Sequence, residues 1–490
     1  GGRQGWSSAR PRRRSERTPA CPGRSAAAAA SRYTRSMKTE ASRSLRGPLA
    51  EAWLTFAQAY RTAVLFWNAG VIAAGYLRVQ RRAKRLAPEQ AAPLWEAQHR
   101  RSAPRLLRTI RRLRGMLTKS GQYLSARPDL VPEPYIEALA TLQDAAPARP
   151  FHVIAGQVER ELGAPIAALF SRFEKRPIAS ASLAQVHRAF LPDGREVAVK
   201  VLYPDIEALV KADLRNLGLL VKVVGRIWPR YDFRVIYREL ARLVPRELDL
   251  RGEADNARRI AAELAHRDDV VVPAIVTDLG SPRVLVMEYI DGIKVTHVAA
   301  LRAAGIAPEP LAETIVDLFG DQVLGHGFFH GDPHPGNILI LRDGRVALID
   351  FGISLELPEV VREGFATLSH SAAMQDPAGM LRAIRLIGVH LPESDMGAYL
   401  RMAQQTLGMA SDQPDDADDS GAAVNVRMAR GFRGASIDGI TGEALFVFRV
   451  QGLLRGLRSA LGNPGNVFIN WDAYARRVLA AAAQAERESA

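Results

Sequence analysis

A ten-residue stretch rich in His, Pro, Asp and Asn most limits what this chain can fold into: Phe328 to Asn337, which reads Phe-Phe-His-Gly-Asp-Pro-His-Pro-Gly-Asn. Thirteen residues after Asn337, Asp350 stands directly before Phe-Gly. An acid and an amide five positions apart, followed by an acid before Phe-Gly, is the spacing of a phosphoryl-transfer centre. In such centres the first acid orients the attacking hydroxyl, and the amide and the second acid hold Mg²⁺. The pattern therefore predicts Asp332 as a catalytic residue and Asn337 with Asp350 as ligands of Mg²⁺.

A lysine upstream lies where such a centre needs a phosphate-binding cation. Asp193-Gly194 predicts a hairpin turn, and 196–201 reads as the returning strand. On that strand Lys200 follows Val-Ala-Val, the usual setting of the lysine that holds the α- and β-phosphates of a nucleotide. A strand lysine is more often a solvated edge residue, but the downstream motif favours a phosphate-binding and catalytic role for Lys200.

Two further stretches fit around a nucleotide. One is a run of small residues that reads as a turn entering a strand, and the other, 284–289, is an apolar strand that turns polar at its end. The second suits a hinge between two lobes, where an adenine edge would pair with backbone groups. The residues predicted to contact the nucleotide in this way are Ala179, Ser180, Ala181, Ser182, Glu288 and Tyr289.

Apolar residues at helical spacing predict helices over 153–170, 205–224, 237–256 and 311–324. Another predicted helix begins near 106 and runs into Lys119 and Gln122, which share a face three positions apart. The helix over 237–256 carries Glu247 and Glu253. Sequence spacing does not choose between these two glutamates as the ion-pair partner of Lys200.

The positive charge is concentrated towards the N-terminus. The formal net charge is +14, yet residues 1–128 hold 27 Lys and Arg against 5 Asp and Glu, whereas the remainder holds 39 against 47. A basic segment of this kind favours anionic lipid or nucleic acid as a partner, or it is a solvated tail. No aromatic-basic motif or nucleic-acid-binding module accompanies it, so we expect no nucleic-acid partner.

The N-terminal part divides into two stretches. Residues 1–48 read as a disordered basic tail, in which Met37 is the expected native start and a genuine disordered arm is the alternative. From 49 to 98 a helical, aromatic-rich stretch ends in a basic cluster, which can lie on an anionic membrane surface or dock on the rest of the protein. Its longest apolar run, 62–77, is broken by Asn68 and Gly70, so we expect no transmembrane helix.

Because the chain has one cysteine, Cys21, it cannot form an intramolecular disulfide or a cysteine-based zinc site. We therefore expect a reducing, cytoplasmic location, with the inner membrane surface as the place of any peripheral contact.

Taken together, these motifs resemble those of the UbiB/AarF-type atypical kinases, a family of the protein-kinase-like superfamily. The match runs from about Arg105 to Phe351 and more loosely to Tyr474. Lys119-Ser-Gly-Gln122 is similar to the signature KxGQ of that family, and 179–182 lies where the family has an Ala-rich loop. Glu247-Leu-Asp249 is similar to its ExD motif.

The resemblance implies an α+β, bilobal protein-kinase-like fold. It has a small β-containing N-lobe, a mainly helical C-lobe and an N-terminal helical extension that carries KxGQ. The boundaries expected on this basis are 1–48 for the tail, 49–150 for the extension, 151–290 for the N-lobe and 291–490 for the C-lobe.

The resemblance also implies an ATP-binding or ADP-binding kinase or ATPase that uses Mg²⁺ and supports isoprenoid-quinone or other lipid metabolism. Lys119 and Gln122 would gate access to the nucleotide. No Ala-Pro-Glu segment follows Asp350, so a peptide-docking platform, and with it a protein acceptor, is not expected. Gly331 replaces the usual Arg of the catalytic loop, so control by activation-loop phosphorylation is not expected either. Implied partners are an anionic membrane surface or isoprenoid lipid, and lipid-biosynthesis enzymes.

Two other interpretations stay open at this point. The first is a non-catalytic nucleotide-binding scaffold for lipid-pathway enzymes, because filled catalytic positions do not prove turnover. The second is a small-molecule phosphotransferase of the aminoglycoside or choline type, which shares the His-x-Asp and Asp-Phe-Gly-like elements. The KxGQ helix and the Ala-rich loop argue against the second interpretation.

Overall fold

The computed structural model describes residues 48–125, 131–142, 148–228, 233–388 and 441–489. Most of the expected N-terminal tail, including Met37, lies outside the described residues. The first four helices belong to the N-terminal extension and are α1 (Pro48–Ala83), α2 (Pro88–Leu113), α3 (Met116–Ser125) and α4 (Glu133–Ala140).

The prediction of one helix running from 106 into Lys119 is wrong. Helix α2 ends at Leu113, and α3 begins at Met116. Between them Arg114 and Gly115 both have positive φ angles, of 54° and 63°. Left-handed residues end an α-helix, and a glycine adopts that conformation without steric cost. The break gives Lys119 a short helix of its own.

Helix α1 is the one helix in the described ranges that is long and apolar enough to cross a membrane, judged by length and composition alone. The stretch is Thr55–Ala83, with a mean hydropathy of 1.3 in its most apolar 18-residue window, and 6% of that window is buried. No such helix was predicted, because Asn68 and Gly70 interrupt the apolar run. Averaged over a window, these two residues do not bring the hydropathy below the level that a span requires.

The helices of the extension share a small apolar core. It is formed by Leu65, Ala103, Ile110, Leu113, Leu117, Tyr135, Leu139 and Leu142. A buried ion pair adds a polar contact at its edge, because Arg61 on α1 bonds to Asp213, which is 2% exposed.

The next part of the chain builds an antiparallel sheet in the order β1-β3-β4, with β2 paired to β3 and a later strand, β6 (Val284–Glu288), paired to β4. Its elements are α5 (Phe151–Leu162), α6 (Ile166–Leu169), β1 (Arg172–Phe173), β2 (Ala179–Ser180), β3 (Ala184–Phe190) and β4 (Glu196–Leu202). The predicted hairpin is confirmed: β3 and β4 pair from Ala184 with Leu202 to Phe190 with Glu196, and Gly194 has a φ of 90° in the turn. The single helix expected over 153–170 divides, because Gly163 is left-handed and Pro165 follows it.

Two helices and a short 3₁₀ turn then replace the single helix predicted over 237–256. After α7 (Ile206–Ile227) come α8 (Arg234–Leu243), the 3₁₀ turn Arg246–Leu248 and α9 (Leu250–Glu263). Pro245 cannot donate a backbone hydrogen bond, so α8 ends before it. Asp249 then caps α9 by accepting the N–H of Arg251. The division places Glu247 and Glu253 on different elements.

The remaining strands form two small sheets and complete the first. They are β5 (Val270–Val271), β6 (Val284–Glu288), β7 (Ile293–Lys294), β8 (Phe328–His330), β9 (Ile338–Ile340), β10 (Val346–Leu348) and β11 (Ser354–Glu356). The second sheet has the order β5-β10-β9-β7, and β11 pairs with β8. These short strands position the predicted site residues, because Asp332 follows β8 and Asp350 follows β10.

Helices dominate the C-terminal part. They are α10 (Val298–Ala303), α11 (Pro308–Gly320), a π-helix over Asp321–His326, α12 (Glu359–Ala373), α13 (Pro377–Leu386), α14 (Gly442–Ala460), α15 (Val467–Asn470) and α16 (Asp472–Ser489). Their apolar faces meet in one large core that includes Phe319, Phe365, Phe448 and Trp471. A separate core lies under the first sheet and includes Met116, Val199 and Val286. Two cores, one beneath a sheet and one among helices, give the α+β division into lobes that the sequence predicts.

Candidate active site

The loop after β8 holds Asp332 and Asn337 together. The Asn337 side-chain amide donates from Nδ2 to the backbone carbonyl of Asp332 at 3.1 Å. This bond uses the amide nitrogen, so the amide oxygen of Asn337 is left for another partner. A hard cation such as Mg²⁺ prefers such an oxygen.

Gly331 has no room for a side chain. A Cβ added there would lie 2.8 Å from Cγ2 of Ile353, and the N–H of Gly331 donates to the Ile353 carbonyl at 2.8 Å. The catalytic loop and the segment after Asp350 are therefore pressed against each other. The arginine that kinases usually carry at this position would not fit without moving one of them.

His330 ties the loop to Asp350 from beneath. Its side chain is fully buried, with Nε2 2.7 Å from the backbone carbonyl of Asp350 and Nδ1 3.2 Å from the N–H of Asp332. A carbonyl only accepts and an N–H only donates, so His330 carries its proton on Nε2. In this neutral tautomer both ring nitrogens have partners, and the ring orients both acids through their backbones.

Asp350 adopts an unusual backbone conformation. Its φ is 67°, one of three positive values at non-glycine residues in the described ranges, and its Oδ1 accepts the N–H of Gly352 at 3.2 Å. A left-handed conformation at a residue with a side chain is uncommon and occurs often at functional sites. The side chain is about half exposed. It therefore stays open to a ligand.

Lys200 joins the two lobes at this point. Its Nζ lies 2.7 and 2.8 Å from the carboxylate oxygens of Glu253 on α9, and 3.2 Å from Oδ1 of Asp350. Burial would lower the pKa of Lys200, but Asp350 and Glu253 outweigh it, so that pKa lies above its ordinary value. Burial raises the pKa of Glu253, and Lys200 opposes that change. For Asp350, the protein atoms around the half-exposed carboxylate raise the pKa less than Lys200 and then Lys119 lower it, so that pKa lies well below the usual range.

Of the two glutamates that the sequence left open, the structure pairs Glu253 with Lys200. Glu247 instead lies 3.6 Å from Nζ of Lys119 on α3. Lys119 also lowers the pKa values of Asp350 and Asp332, so the KxGQ helix places a positive charge beside both acids. The side chain of Gln122 lies outside the described part of the chain.

The glycine of KxGQ allows α3 to pack closely. A Cβ added at Gly121 would lie 2.4 Å from Cδ1 of Leu142 and 3.1 Å from Cδ1 of Ile110. These neighbours belong to the core of the N-terminal extension. The contact therefore sets how α3, and with it Lys119, lies over the site.

Arg449 is a site residue that the sequence did not predict. On α14, Arg449 donates from Nη2 to Oδ1 of Asp332 at 2.8 Å, and both side chains are largely buried. Burial would raise the pKa of Asp332, but Arg449 and then Lys119 outweigh it, so that pKa lies below its ordinary value. The only sequence signal for Arg449 is a charge set among the apolar residues of α14.

The Ala-rich loop is partly a strand. Ala179 and Ser180 form β2, which pairs with Val186 and Gln185 of β3. Tyr203 fixes the rest of the loop, because its hydroxyl bonds to Ser180 Oγ at 3.0 Å and to the Ala181 carbonyl at 3.1 Å.

Ser182 is the last residue of that loop, and its hydroxyl is available for a ligand. Its Oγ is buried and has no hydrogen-bond partner among the groups that the structure describes. Leaving a buried hydroxyl unpaired costs about 1–3 kcal/mol. A phosphate oxygen is the kind of acceptor that would satisfy it.

At the predicted hinge, two backbone donors are already occupied. Glu288 donates its N–H to the Ala274 carbonyl at 2.8 Å, and Tyr289 donates to the Glu196 carbonyl at 3.1 Å. The Tyr289 ring lies under the guanidinium of Arg188 at 4.5 Å. An adenine edge would therefore have to use the Glu288 carbonyl or a later backbone group, rather than these two N–H groups.

The donor set fits a nucleotide with Mg²⁺. An ionised carboxylate at Asp350 and an amide oxygen at Asn337 are hard oxygen ligands, which suit Mg²⁺. Lys200 and Lys119 supply the positive charge that phosphates require. The structure thus brings most of the predicted site residues together at the junction of β4, α9, the loop after β8 and the end of β10.

Comparison with known proteins assigns this arrangement to a family. The ABC1 atypical kinase-like domain matches residues 141–384. The chain is 37% identical over 305 residues to Protein ACTIVITY OF BC1 COMPLEX KINASE 8, chloroplastic, of Arabidopsis thaliana, which covers 61% of this chain and 40% of that protein. It is 36% identical over 275 residues to AarF domain-containing protein kinase 1 of Xenopus laevis, which covers 55% of this chain and 53% of that protein. The chain spans about half the length of these relatives.

A solved structure extends the likeness to most of the fold. The structure of Rv3197 from Mycobacterium tuberculosis, determined in complex with erythromycin, is 26% identical in sequence with a TM-score of 0.51. The alignment covers 80% of this chain and 97% of that chain. The expected α+β kinase-like fold is confirmed, and the chain belongs to the ABC1 atypical kinase-like family, the UbiB/AarF type.

Proposed function

We propose that this chain is an atypical kinase or ATPase that binds ATP or ADP with Mg²⁺. The observation that carries the proposal is the ion-pair network of Lys200, in which Nζ lies 2.7 Å from Glu253 and 3.2 Å from Asp350. Active protein-kinase sites require the pair between a strand lysine and a helix glutamate. A chain that only resembled the fold would have no physical need to hold these three charges together.

Each residue has a defined part in this reaction. Lys200 binds the α- and β-phosphates, and Asn337 with Asp350 holds Mg²⁺, which neutralises charge on the phosphates when bound. Asp332 orients the acceptor hydroxyl or a water molecule, and its low pKa keeps it ionised and able to accept that hydrogen bond. Fixed charges in a water-poor site supply most of the acceleration in such centres. The hydroxyl of Ser182 and the loop 179–182 contact the phosphates, and Glu288 with Tyr289 borders the adenine.

The ion pair between Arg449 and Asp332 favours one alternative, a non-catalytic nucleotide-binding scaffold. An acid that is held by a guanidinium at 2.8 Å is less free to orient an acceptor. A phosphate-release assay with the full chain separates the two functions, with and without Mg²⁺ and with and without anionic vesicles. The kinase or ATPase proposal requires Mg²⁺-dependent release above the blank. Nucleotide binding without release under every condition would support the scaffold instead.

We propose further that α3 gates the site through Lys119 and Gln122. Support comes from the positive charge of Lys119, which lowers the pKa values of both Asp332 and Asp350. A helix in that position covers the surface where a peptide would dock, so we infer an acceptor other than a protein, such as an isoprenoid or other lipid.

We predict that Lys119→Ala changes the preference between ATP and ADP and raises autophosphorylation. The lysine's charge and its contact with Glu247 are lost together. Binding of both nucleotides and autophosphorylation would be measured side by side. Lys211→Ala removes an exposed lysine of α7 that pairs with Glu207 four residues away, and serves as the control. If Lys119→Ala matches the wild type in both measurements, α3 does not gate the site.

A further inference from the structure

A second cluster of metal-ligating side chains lies apart from the nucleotide centre, beyond the C-terminal end of α9. It consists of His266, Asp321 and His326, with one ligand atom from each residue lying within 4.8 Å of the others. Nε2 of His266 lies 2.9 Å from Oδ2 of Asp321, and Nε2 of His326 lies 3.7 Å from Oδ1 of Asp321. No residue proposed to bind the nucleotide or Mg²⁺ belongs to it.

The hydrogen bonds of His266 leave its Nε2 facing the carboxylate. Nδ1 of His266 lies 3.0 Å from the backbone carbonyl of Glu263, and a carbonyl only accepts, so Nδ1 carries the proton. In the neutral ring Nε2 then presents a lone pair to a carboxylate oxygen 2.9 Å away. Two acceptors at that distance need either a second proton or a cation between them. Metal-bound histidines characteristically donate their other ring N–H to a carbonyl in this way.

A π-helix brings Asp321 and His326 to one place. It runs over Asp321–His326, and the N–H of Gly327 bonds to the carbonyl of Gln322 five residues earlier at 2.9 Å. Residues five apart do not face each other on an α-helix, but one wide π turn brings them close. A Cβ added at Gly325 would lie 2.7 Å from Oδ1 of Asp321, so the glycine leaves room for the carboxylate. Single π turns of this kind occur frequently at functional sites.

The charges around the cluster favour a cation. The Asp321 side chain is 8% exposed. Arg267 lies 3.8 Å from it, but the guanidinium is engaged at 2.7 Å by both Asp269 and Asp317. Three carboxylates against one guanidinium leave negative charge beside two imidazoles.

We propose that His266, Asp321 and His326 bind a divalent first-row transition metal ion such as Zn²⁺. Two imidazole nitrogens and one carboxylate oxygen are a donor set that suits such ions and not Mg²⁺, which prefers oxygen ligands alone. Nε2 of His266 lies 2.9 Å from Oδ2 of Asp321, and Nε2 of His326 lies 3.7 Å from Oδ1 of the same carboxylate, so an ion bound between the two rings would meet that carboxylate. The fourth position is left for water or another ligand.

The position of the site gives the ion a defined effect. His266 lies three residues beyond α9, the helix that carries Glu253, and His326 lies two residues before β8, which leads into Asp332. A bound ion therefore links the end of the glutamate helix to the segment that delivers the catalytic loop. It restrains α9, and it does so without touching the nucleotide.

The test is direct binding of the metal alone. The untagged full chain, held in excess Mg²⁺ so that oxygen-rich sites are occupied, is titrated with Co²⁺ and with Zn²⁺. We expect one ion per chain, a Co²⁺ d–d absorption band that Zn²⁺ removes, and a rise in Tm on binding. His266→Ala and His326→Ala should each weaken binding by tenfold or more and abolish the rise in Tm. His266 is more than half exposed, so its replacement does not threaten folding.

His152→Ala is the matched control, because it removes an exposed histidine of α5 and should leave both readouts at the wild-type level. Circular dichroism of each variant establishes that it is folded. Two results would overturn the proposal. One is wild-type protein that shows no d–d band and no rise in Tm, which would leave His266 and Asp321 as an imidazolium–carboxylate pair. The other is a folded double variant, His266→Ala with His326→Ala, that binds Co²⁺ as tightly as the wild type.

Discussion

At the scale of single residues, the centre depends on how each acid is neutralised. The carboxylate of Glu253 is paired with Lys200, and that of Asp332 is paired with Arg449. Burial without a neighbouring cation raises the pKa of a carboxyl group, so that the group becomes protonated. The guanidinium of Arg449, together with Lys119, thus keeps Asp332 ionised, and Arg449 also competes with any acceptor that Asp332 would orient.

We predict that Arg449→Met moves the acid limb of the pH–rate profile to higher pH. In the wild type the pKa of Asp332 is held below its ordinary value, so ionised Asp332 is lost only as the pH falls through that low value. Without Arg449, burial is opposed mainly by Lys119, the pKa rises, and the ionised form is lost at a higher pH. The measurement is kcat/KM for phosphate release between about pH 4 and pH 8, a range that spans the ordinary pKa values of Asp and His.

Arg476→Met is the control for that experiment, because it removes an exposed arginine of α16 that pairs with Asp472. Its acid limb should coincide with that of the wild type. Coincident acid limbs for Arg449→Met and the wild type would mean that Arg449 does not set the ionisation of Asp332.

At the scale of elements, local signals predicted some boundaries and missed others. The predicted hairpin of β3 and β4 is confirmed, since Asp193-Gly194 is a pair that favours a tight turn between two strands. The prediction of one helix over 237–256 is wrong. The apolar periodicity continues across Pro245, but proline lacks a backbone N–H, so the helix ends before it. The π-helix over Asp321–His326 leaves no periodic trace that differs from the end of an α-helix, so the helix predicted over 311–324 continues four residues past the end of α11 at Gly320.

Helix α3 offers a prediction at this scale, through its glycine. We predict that Gly121→Ala lowers the free energy of unfolding by about 1–3 kcal/mol, because the new Cβ would lie 2.4 Å from Leu142 and overpack the core. The measurement is urea unfolding followed by circular dichroism.

Gly156→Ala, on α5, is the matched substitution. A Cβ there meets nothing within 4 Å, so the change should stabilise the protein by about 0.5–1 kcal/mol, the usual gain of Ala over Gly in a helix. Equal effects from the two substitutions would show that α3 does not pack on Leu142 as described.

At the scale of the whole molecule, the chemistry-bearing residues come from distant parts of the chain. Asp332, Asn337 and Asp350 are close in sequence, and their motif predicted them without the fold. Arg449 lies 117 residues from Asp332 and carries no motif, so only the packing of α14 reveals it. The choice of Glu253 over Glu247 likewise needed the fold, because Asp249, the N-cap of α9, separates the 3₁₀ turn that carries Glu247 from the helix that carries Glu253.

The first helix of the N-terminal extension exposes large apolar side chains and ends in basic ones. Phe56 and Trp67 on α1 are 69% and 72% exposed, and the helix ends in a basic cluster that begins at Arg81. We predict that the full chain floats with anionic vesicles more than with neutral ones, because basic residues add electrostatic attraction to apolar burial. A variant with Phe56→Ser and Trp67→Ser should lose most of that binding.

Ile178→Ser, which removes an exposed isoleucine outside the extension, is the control and should float like the wild type. Equal flotation of wild type and double variant would move the lipid contact away from α1. Absence of flotation with any vesicle would leave α1 without a lipid partner.

The central claim, that this centre does phosphate chemistry on a nucleotide with Mg²⁺, is tested most directly by Asp350→Asn. The substitution keeps the size of the side chain and removes the charge that faces Lys200 and that would bind Mg²⁺. The control is Asp343→Asn, an exposed aspartate paired with Arg345. We predict that Mg²⁺-dependent phosphate release is abolished in Asp350→Asn and retained in Asp343→Asn, with both proteins folded by circular dichroism. Turnover by Asp350→Asn at the wild-type rate would contradict the account.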